Sequence, residues 1–393
     1  MEANESALEM GQIALQRGAL AEAKTHFLRA LQMPEDWQEA RRCLARIALI
    51  QQQPHDAEIH LRVLLEADPE DAEAMALDGL LYLRRGKSKE AVEALERARA
   101  LAPGLASIHA NLALAYRSVE RLEDALEAAR QSVVLDPEHL PHYDVLGQLW
   151  LDKGRRGEAI RVWTEALMRD PRRLGTYLQL GAVLQQAGKL EQAIKLYQEG
   201  VQVVAACEGL RERLYEMFLA SQQPVLALEQ AEALRRSRGN HSDILLQGRC
   251  LLMLGRFEQA EQAFLDALAL EPERWEVHFH LGEVYQLLQK AEDSEDSYLS
   301  AIRREPRAWQ AHNGLGQLLL HLHRHEEAMG CLRQAQRLAP QRPEPLLNLA
   351  LCHALQSQPK EASDLAQQVQ SISPKGSASY EEAGRLIEAL KNA

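Results

Sequence analysis

Cysteine is scarce in this chain. The 393 residues contain five, Cys43, Cys207, Cys250, Cys331 and Cys352. No two form a CxxC and no pair is spaced as a metal knuckle, so neither a disulfide framework nor a zinc module is indicated. Nucleotide and hydrolase signatures are missing too: there is no GxxxxGK[ST], no GxGxxG after a strand, no HExxH and no GxSxG. These absences remove the common phosphate-cradling, zinc-protease and nucleophile-elbow chemistries, and the chain reads as a non-enzyme that needs no cofactor. No stretch of 18 apolar residues occurs, so no membrane insertion is expected. The segment from Met1 to Gly11 carries Glu2, Glu5 and Glu9 and no Lys or Arg. That is the reverse of a secretory leader, and the expected location is cytoplasmic. Strong positive charge is lacking as well. The net charge of −12 is spread along the chain, about −6 over residues 1–71, +2 over 140–173 and −6 over 241–308. With no basic stripe interleaved with aromatics, nucleic acid is not an expected partner.

What the chain does have is a period. Prolines stand at Pro34, Pro69, Pro103, Pro137 and Pro171, and again at Pro272, Pro306, Pro340 and Pro374. Most intervals are 34 residues, and the central gap of 101 is close to three more, with Ala205 and Gly239 near the missing prolines. A fixed period of this length implies stacked copies of one supersecondary unit. Within each copy, numbered from residues 4, 38, 72, 106, 140, 174, 208, 241, 275, 309 and 343, residue types recur. Leucine at position 7 and an aromatic or leucine at position 11 share one helical stripe. Gly or Ala at position 8 (Gly79, Gly147, Gly181, Gly248, Gly282, Gly316, Ala113, Ala350) is expected to let another backbone approach. Alanine at position 20 is expected to do the same for the second helix. Glycine near position 15 (Gly18, Gly86, Gly154, Gly188, Gly255) suits a helix C-terminus that needs a positive φ. Proline at position 32 stops the second helix. Three residues later Trp37, Ala72, Leu140, Leu174, Trp275 or Trp309 begins the next one, and the tryptophans read as packing residues.

Residues such as Tyr143, Leu146, Gly147, Trp150, Ala159, Trp163 and Pro171 resemble the tetratricopeptide pattern W-x2-L-G-x2-Y, A-x3-F, P. The resemblance spans residues 4–376. It implies an all-α fold, an α-solenoid wound as a right-handed superhelix of helix-turn-helix repeats. Six repeats are expected over 4–207, a degenerate repeat and a bend over 208–240, and four repeats over 241–376. The irregularity rests on Ala205, Gly239, Tyr215 at position 8 and Pro224 after the inter-helix turn. Residues 377–393 match the first helix of an uncompleted twelfth repeat through Tyr380, Ala383, Gly384 and Ile387, with a charged opposite face, and are expected to cap the array.

The resemblance also implies a function. First helices of such arrays line a groove, with positions 2, 5, 6, 9, 12 and 13 facing it. Here this places Arg42, Arg46, Asn111, Gln148, Gln179, Arg249, Phe279, His280, Glu283, Asn313, Gln317 and Asn348 on that surface. The expected partner is a protein or peptide, and the expected role a scaffold or adaptor in a multiprotein complex. Asn111 and Asn348 at position 6 partly resemble the asparagine ladder of O-linked N-acetylglucosamine transferases. That likeness leads to an alternative, a non-catalytic targeting subunit of a glycosyltransferase or sulfotransferase. The ladder is interrupted at Cys43, Leu77, Val145, Arg213, Leu246 and Gly314. The chaperone-type carboxylate clamp is broken at Leu77 and Ser107. A peptide-pheromone sensor is disfavoured because residues 1–37 are already a repeat. His321, His323 and His325 fall across one turn and read as exposed turn residues rather than a metal set.

Overall fold

The computed structural model describes residues 6–392. Among them are twenty-three helices and no strand, an all-α solenoid of helix hairpins. The chain falls into two compact units that divide after Ala205. In the first, the helices are α1 (Ala7–Gln16), α2 (Leu20–Ala30), α3 (Trp37–Ile50), α4 (Pro54–Ala67), α5 (Ala72–Arg84), α6 (Ser88–Leu101), α7 (Ala106–Ser118), α8 (Leu122–Leu135), α9 (Pro141–Asp152), α10 (Arg156–Arg169), α11 (Leu174–Gln186) and α12 (Leu190–Val203). In the second they are α13 (Glu208–Ala220), α14 (Pro224–Ser237), α15 (His241–Met253), α16 (Phe257–Leu270), α17 (Trp275–Leu287), α18 (Ala291–Arg304), α19 (Trp309–His321), α20 (His325–Leu338), α21 (Pro343–Leu355), α22 (Pro359–Ile372) and α23 (Ala378–Asn392). Leu140 precedes its helix rather than starting it. It is the N-cap residue, and Pro141 takes the first helical position, where its fixed φ and missing N–H carry no penalty.

Every hairpin turns the same way. Position 15 has a positive φ in all eleven repeats. Five copies use glycine (Gly18, Gly86, Gly154, Gly188, Gly255), and six place Gln52, Glu120, Gln222, Gln289, His323 or Ser357 there at φ between 55° and 61°. The left-handed residue lets the following N–H groups reach back to the last turn, as when Arg155 N–H donates to Trp150 O at 2.8 Å. Six side chains thus accept a backbone region that costs an L-residue about 1–2 kcal/mol relative to the right-handed form.

The small residue at position 8 serves a different purpose from the one its size suggested. A Cβ built on Gly147 would sit 2.4 Å from Trp163, on Gly181 2.2 Å from Tyr197 and on Gly248 2.5 Å from Phe264. The neighbour is the side chain at position 24 of the same repeat, not a backbone. Trp163, Tyr197, Phe264 and Tyr298 are each at most 1 % exposed, so the rings are the core of their hairpins and the glycines are the space they fill. Repeat seven inverts the pair. Tyr215 occupies position 8, 3 % exposed, and position 24 holds Ala231 at 0 %. Its hydroxyl donates to Leu246 O at 3.4 Å.

Position 20 is fully buried throughout, from Ala23 to Ala362. The one polar occupant, Ser294, donates its hydroxyl to Gly282 O at 2.8 Å, which satisfies the group inside the core. Helix α23 packs on α22 and α21. It buries Ala383 beside Leu346, Leu347 and Val369, while Glu381, Glu382, Arg385 and Glu388 are exposed.

Candidate functional site

In the second unit the first helices form a continuous wall, because α15 packs on α17, α17 on α19, α19 on α21 and α21 on α23. Two adjoining cavities open along it. The first, about 270 Å³, is lined by Phe279, Glu283 and Gln286 of α17, by Trp309, Gln310, Asn313 and Gln317 of α19, and by Tyr298 and Glu344. The second, about 380 Å³, shares Gln317 and adds His321, Asn348, Leu351, Leu355 and Leu386. Gln317 is the common wall, so the two form one groove across repeats nine to eleven with α23 at its far side.

Each wall has a local cause. The Tyr298 ring lies between two glycines: a Cβ on Gly282 would fall 2.7 Å from it and one on Gly314 2.6 Å. Gly314, which interrupts the position-6 ladder, is therefore required by that ring. Tyr298 O–H donates to Gln286 at 3.1 Å, and burial pushes its phenol pKa upward. His280 stacks on Phe264 with centroids 5.2 Å apart and donates from Nδ1 to Glu283 at 2.7 Å. That hydrogen bond fixes the carboxylate at the mouth of the first cavity. Phe279 lies 6.0 Å from the Tyr298 centroid in a tilted pair. The floor of the second cavity is aliphatic, and Leu351 and Leu355 remain 39 % and 59 % exposed.

The charge of this wall is one-sided. Helices α17, α19 and α21 carry Glu276, Glu283 and Glu344 and neither Lys nor Arg. One oxygen of Glu276 is buried without a hydrogen-bond partner.

Of the residues expected on the groove, Phe279, Glu283, Asn313 and Gln317 line the first cavity, and Gln317 and Asn348 line the second. His280 stands behind Glu283. Asn348 donates to Asn313 at 3.0 Å, so the two amides bridge adjacent repeats. Arg249 is exposed on α15 and outside both cavities. The remaining candidates belong to the first unit. Arg42 stitches one repeat to the next: its guanidinium donates to Asp71 at 3.1 Å and to Glu39 at 2.8 Å. Asp71 in turn caps α5 by accepting from Ala74 N–H at 3.0 Å. Gln148 donates to Asp152 at 3.1 Å. Arg46 and Gln179 are exposed and Asn111 is half-buried.

Sequence reasoning passed over Trp309, Tyr298, Glu344, Leu351, Leu355 and Leu386. A usable signal was there. Leu351 and Leu355 stand at positions 9 and 13 of repeat eleven, two groove-facing slots of one helix, and leave apolar surface facing solvent. The histidines at one turn disperse: His321 pairs with Gln286 at 3.1 Å, while the rings of His323 and His325 are 6.0 Å apart and edge-on. Among the described residues no three His, Cys, Asp or Glu side chains converge as a metal set. The thiols of Cys43 and Cys250 are pushed up to about 12 and about 11, chiefly by burial, which keeps them protonated and unreactive at neutral pH. Among the described residues no helix is long and apolar enough to cross a membrane.

Comparison with known proteins fits this architecture. A family described as tetratricopeptide repeat matches residues 8–72, 77–139, 245–298 and 285–343, and a second of the same description matches 173–205. Curated proteins gave no match. Among solved structures, a tetratricopeptide repeat protein from Parabacteroides merdae superposes with a TM-score of 0.54 at 16 % identity, over 64 % of this chain and 99 % of its own. The C-terminal part of a repeat-containing protein from Cytophaga hutchinsonii gives 0.51 at 14 %, over 61 % and 99 %. At such identities the likeness shows the fold alone. The repeat-by-repeat core, the uniform left-handed turn and family matches over more than half the chain give one result: this protein belongs to the tetratricopeptide repeat family.

Proposed function

We propose that the chain is a protein–protein interaction scaffold that holds a segment of a partner in the groove of α17, α19 and α21. One observation carries the reading: two adjoining cavities are lined jointly by aromatic rings, side-chain amides and exposed leucines on successive first helices. Extended walls of this kind are what solenoids offer to partners, and aromatic anchors ringed by polar groups are the usual energetic centre of an interface. The alternative of a transferase-targeting subunit is the weaker one, because Asn348, one of two asparagines at position 6, directs its amide donor to Asn313. The test is quantitative affinity capture from the native lysate with Phe279→Ala/Asn313→Ala against the parent chain. Loss of the captured partner with an unchanged melting curve supports the groove. Undiminished capture rejects it.

A further inference from the structure

We infer that the first cavity is a pocket for a basic side chain, and that the partner segment presents an arginine or lysine followed by an apolar residue. The inference rests on the groove reading above and specifies its occupant. The pocket combines two features that a cation recognises. Its walls include the partly exposed rings of Phe279 and Trp309, and Glu283 and Glu344 also line it. Aromatic faces attract a guanidinium or ammonium through their quadrupole, most strongly where water is excluded, and carboxylates at the rim complete the charge balance. Glu344 is exposed and has no ion-pair partner among the described residues, so its charge is available.

The shortage of cations on the cavity's own helices sharpens the argument. Helices α17, α19 and α21 contribute three glutamates and no Lys or Arg. Arg342, at the N-cap of α21, offsets one of these charges, and its guanidinium lies 5.6 Å from the Trp309 ring centroid. This internal pair already displays the contact assigned to the partner. An acidic segment entering here would meet Glu283 and Glu344, with Arg342 as the one cation beside them among the described residues. An all-apolar one would bury carboxylates without compensation. The adjoining cavity has the opposite character: Leu351, Leu355 and Leu386 surround it and no charged side chain lines it. It suits an aliphatic residue. Gln317 between the two can hydrogen-bond the backbone that links them.

Selection of a random peptide library displayed on phage against the immobilised full-length protein tests this directly. The expected result is enrichment of peptides that pair Arg or Lys with a nearby Leu, Ile or Met. Their binding should weaken about tenfold in Glu344→Gln or Glu283→Gln and fall further as salt is raised. Glu344 is exposed, so its variant keeps the fold and carries the test even if Glu283→Gln disturbs His280. Peptides that are displaced by Gln317→Arg yet show no basic preference would overturn the basic pocket and leave the groove standing. Selection of no peptide, or of peptides indifferent to Gln317→Arg, would overturn both.

Discussion

At the residue scale, the position 8 and position 24 side chains share one volume. Seven repeats give that volume to a ring or leucine at 24 and leave glycine at 8, as with Gly11 under Phe27, Gly79 under Leu95 and Gly316 under Leu332. Repeat seven gives it to Tyr215 and keeps Ala231 small. Truncating Tyr215→Gly should therefore cost about 3–5 kcal/mol, the range for losing a buried ring. Adding Ala231→Tyr to that variant should restore a large part of the loss. Ala231→Tyr alone should destabilise by about 1–3 kcal/mol through overpacking. Urea unfolding of the three variants closes a double-mutant cycle, and strict additivity would refute the shared volume. Residue types at core positions were legible from the sequence because the period repeats them eleven times. Their partners were not. Spacing places a small residue on a helical stripe, but only coordinates show that Gly147 faces an indole rather than a neighbouring backbone.

At the element scale, histidines join first helices to what precedes them. His109, His278 and His312, all at position 4, donate from Nε2 to the carbonyls of Pro103, Pro272 and Pro306 at 2.8, 3.0 and 3.1 Å. His142 reaches Ser132 O at 3.1 Å. The proline that ends one helix thus supplies the acceptor that seats the next. Burial is the main cause that lowers the pKa of His60, His142 and His278, so the folded chain favours their neutral forms. Below the ordinary value of 6.5 the unfolded chain takes up protons that the folded one refuses, and stability falls as the pH drops toward the lowered folded values. Urea midpoints measured at about pH 7.5 and about pH 5.5 should differ in that direction. The difference should shrink in His142→Gln/His278→Gln, and an equal difference in that variant would remove these residues from the account. Helix ends were legible through proline and glycine. The six non-glycine residues at position 15 show that the turn is imposed by hairpin packing even where composition does not ask for it.

At the scale of the whole molecule, each compact unit has its own buried clusters. In a stacked array, stability is close to a sum of repeat terms and neighbour terms. A fragment of residues 206–393 should therefore fold alone, with helical circular dichroism and a cooperative melt; a chain that stays unfolded would show that its neighbour terms are insufficient. The groove was partly legible, since family positions pointed to Phe279, Glu283, Asn313, Gln317 and Asn348. Its one-sided charge and its aliphatic second cavity were not, because both come from which residues of separate helices share a cavity.

The exchanged pair in repeat seven also bears on descent. If the predicted cycle holds, a substitution at Tyr215 or Ala231 is harmful alone and tolerable together, and lineages would cross between the two arrangements by paired changes. A profile that scores columns one at a time records such a repeat as two mismatches. The hairpin of residues 206–244 is nevertheless packed as fully as its neighbours at Leu214, Phe218, Ala227 and Leu234. In repeat seven the likeness to its neighbours lies in one bulky ring opposite one small residue, whichever of the two positions carries the bulk.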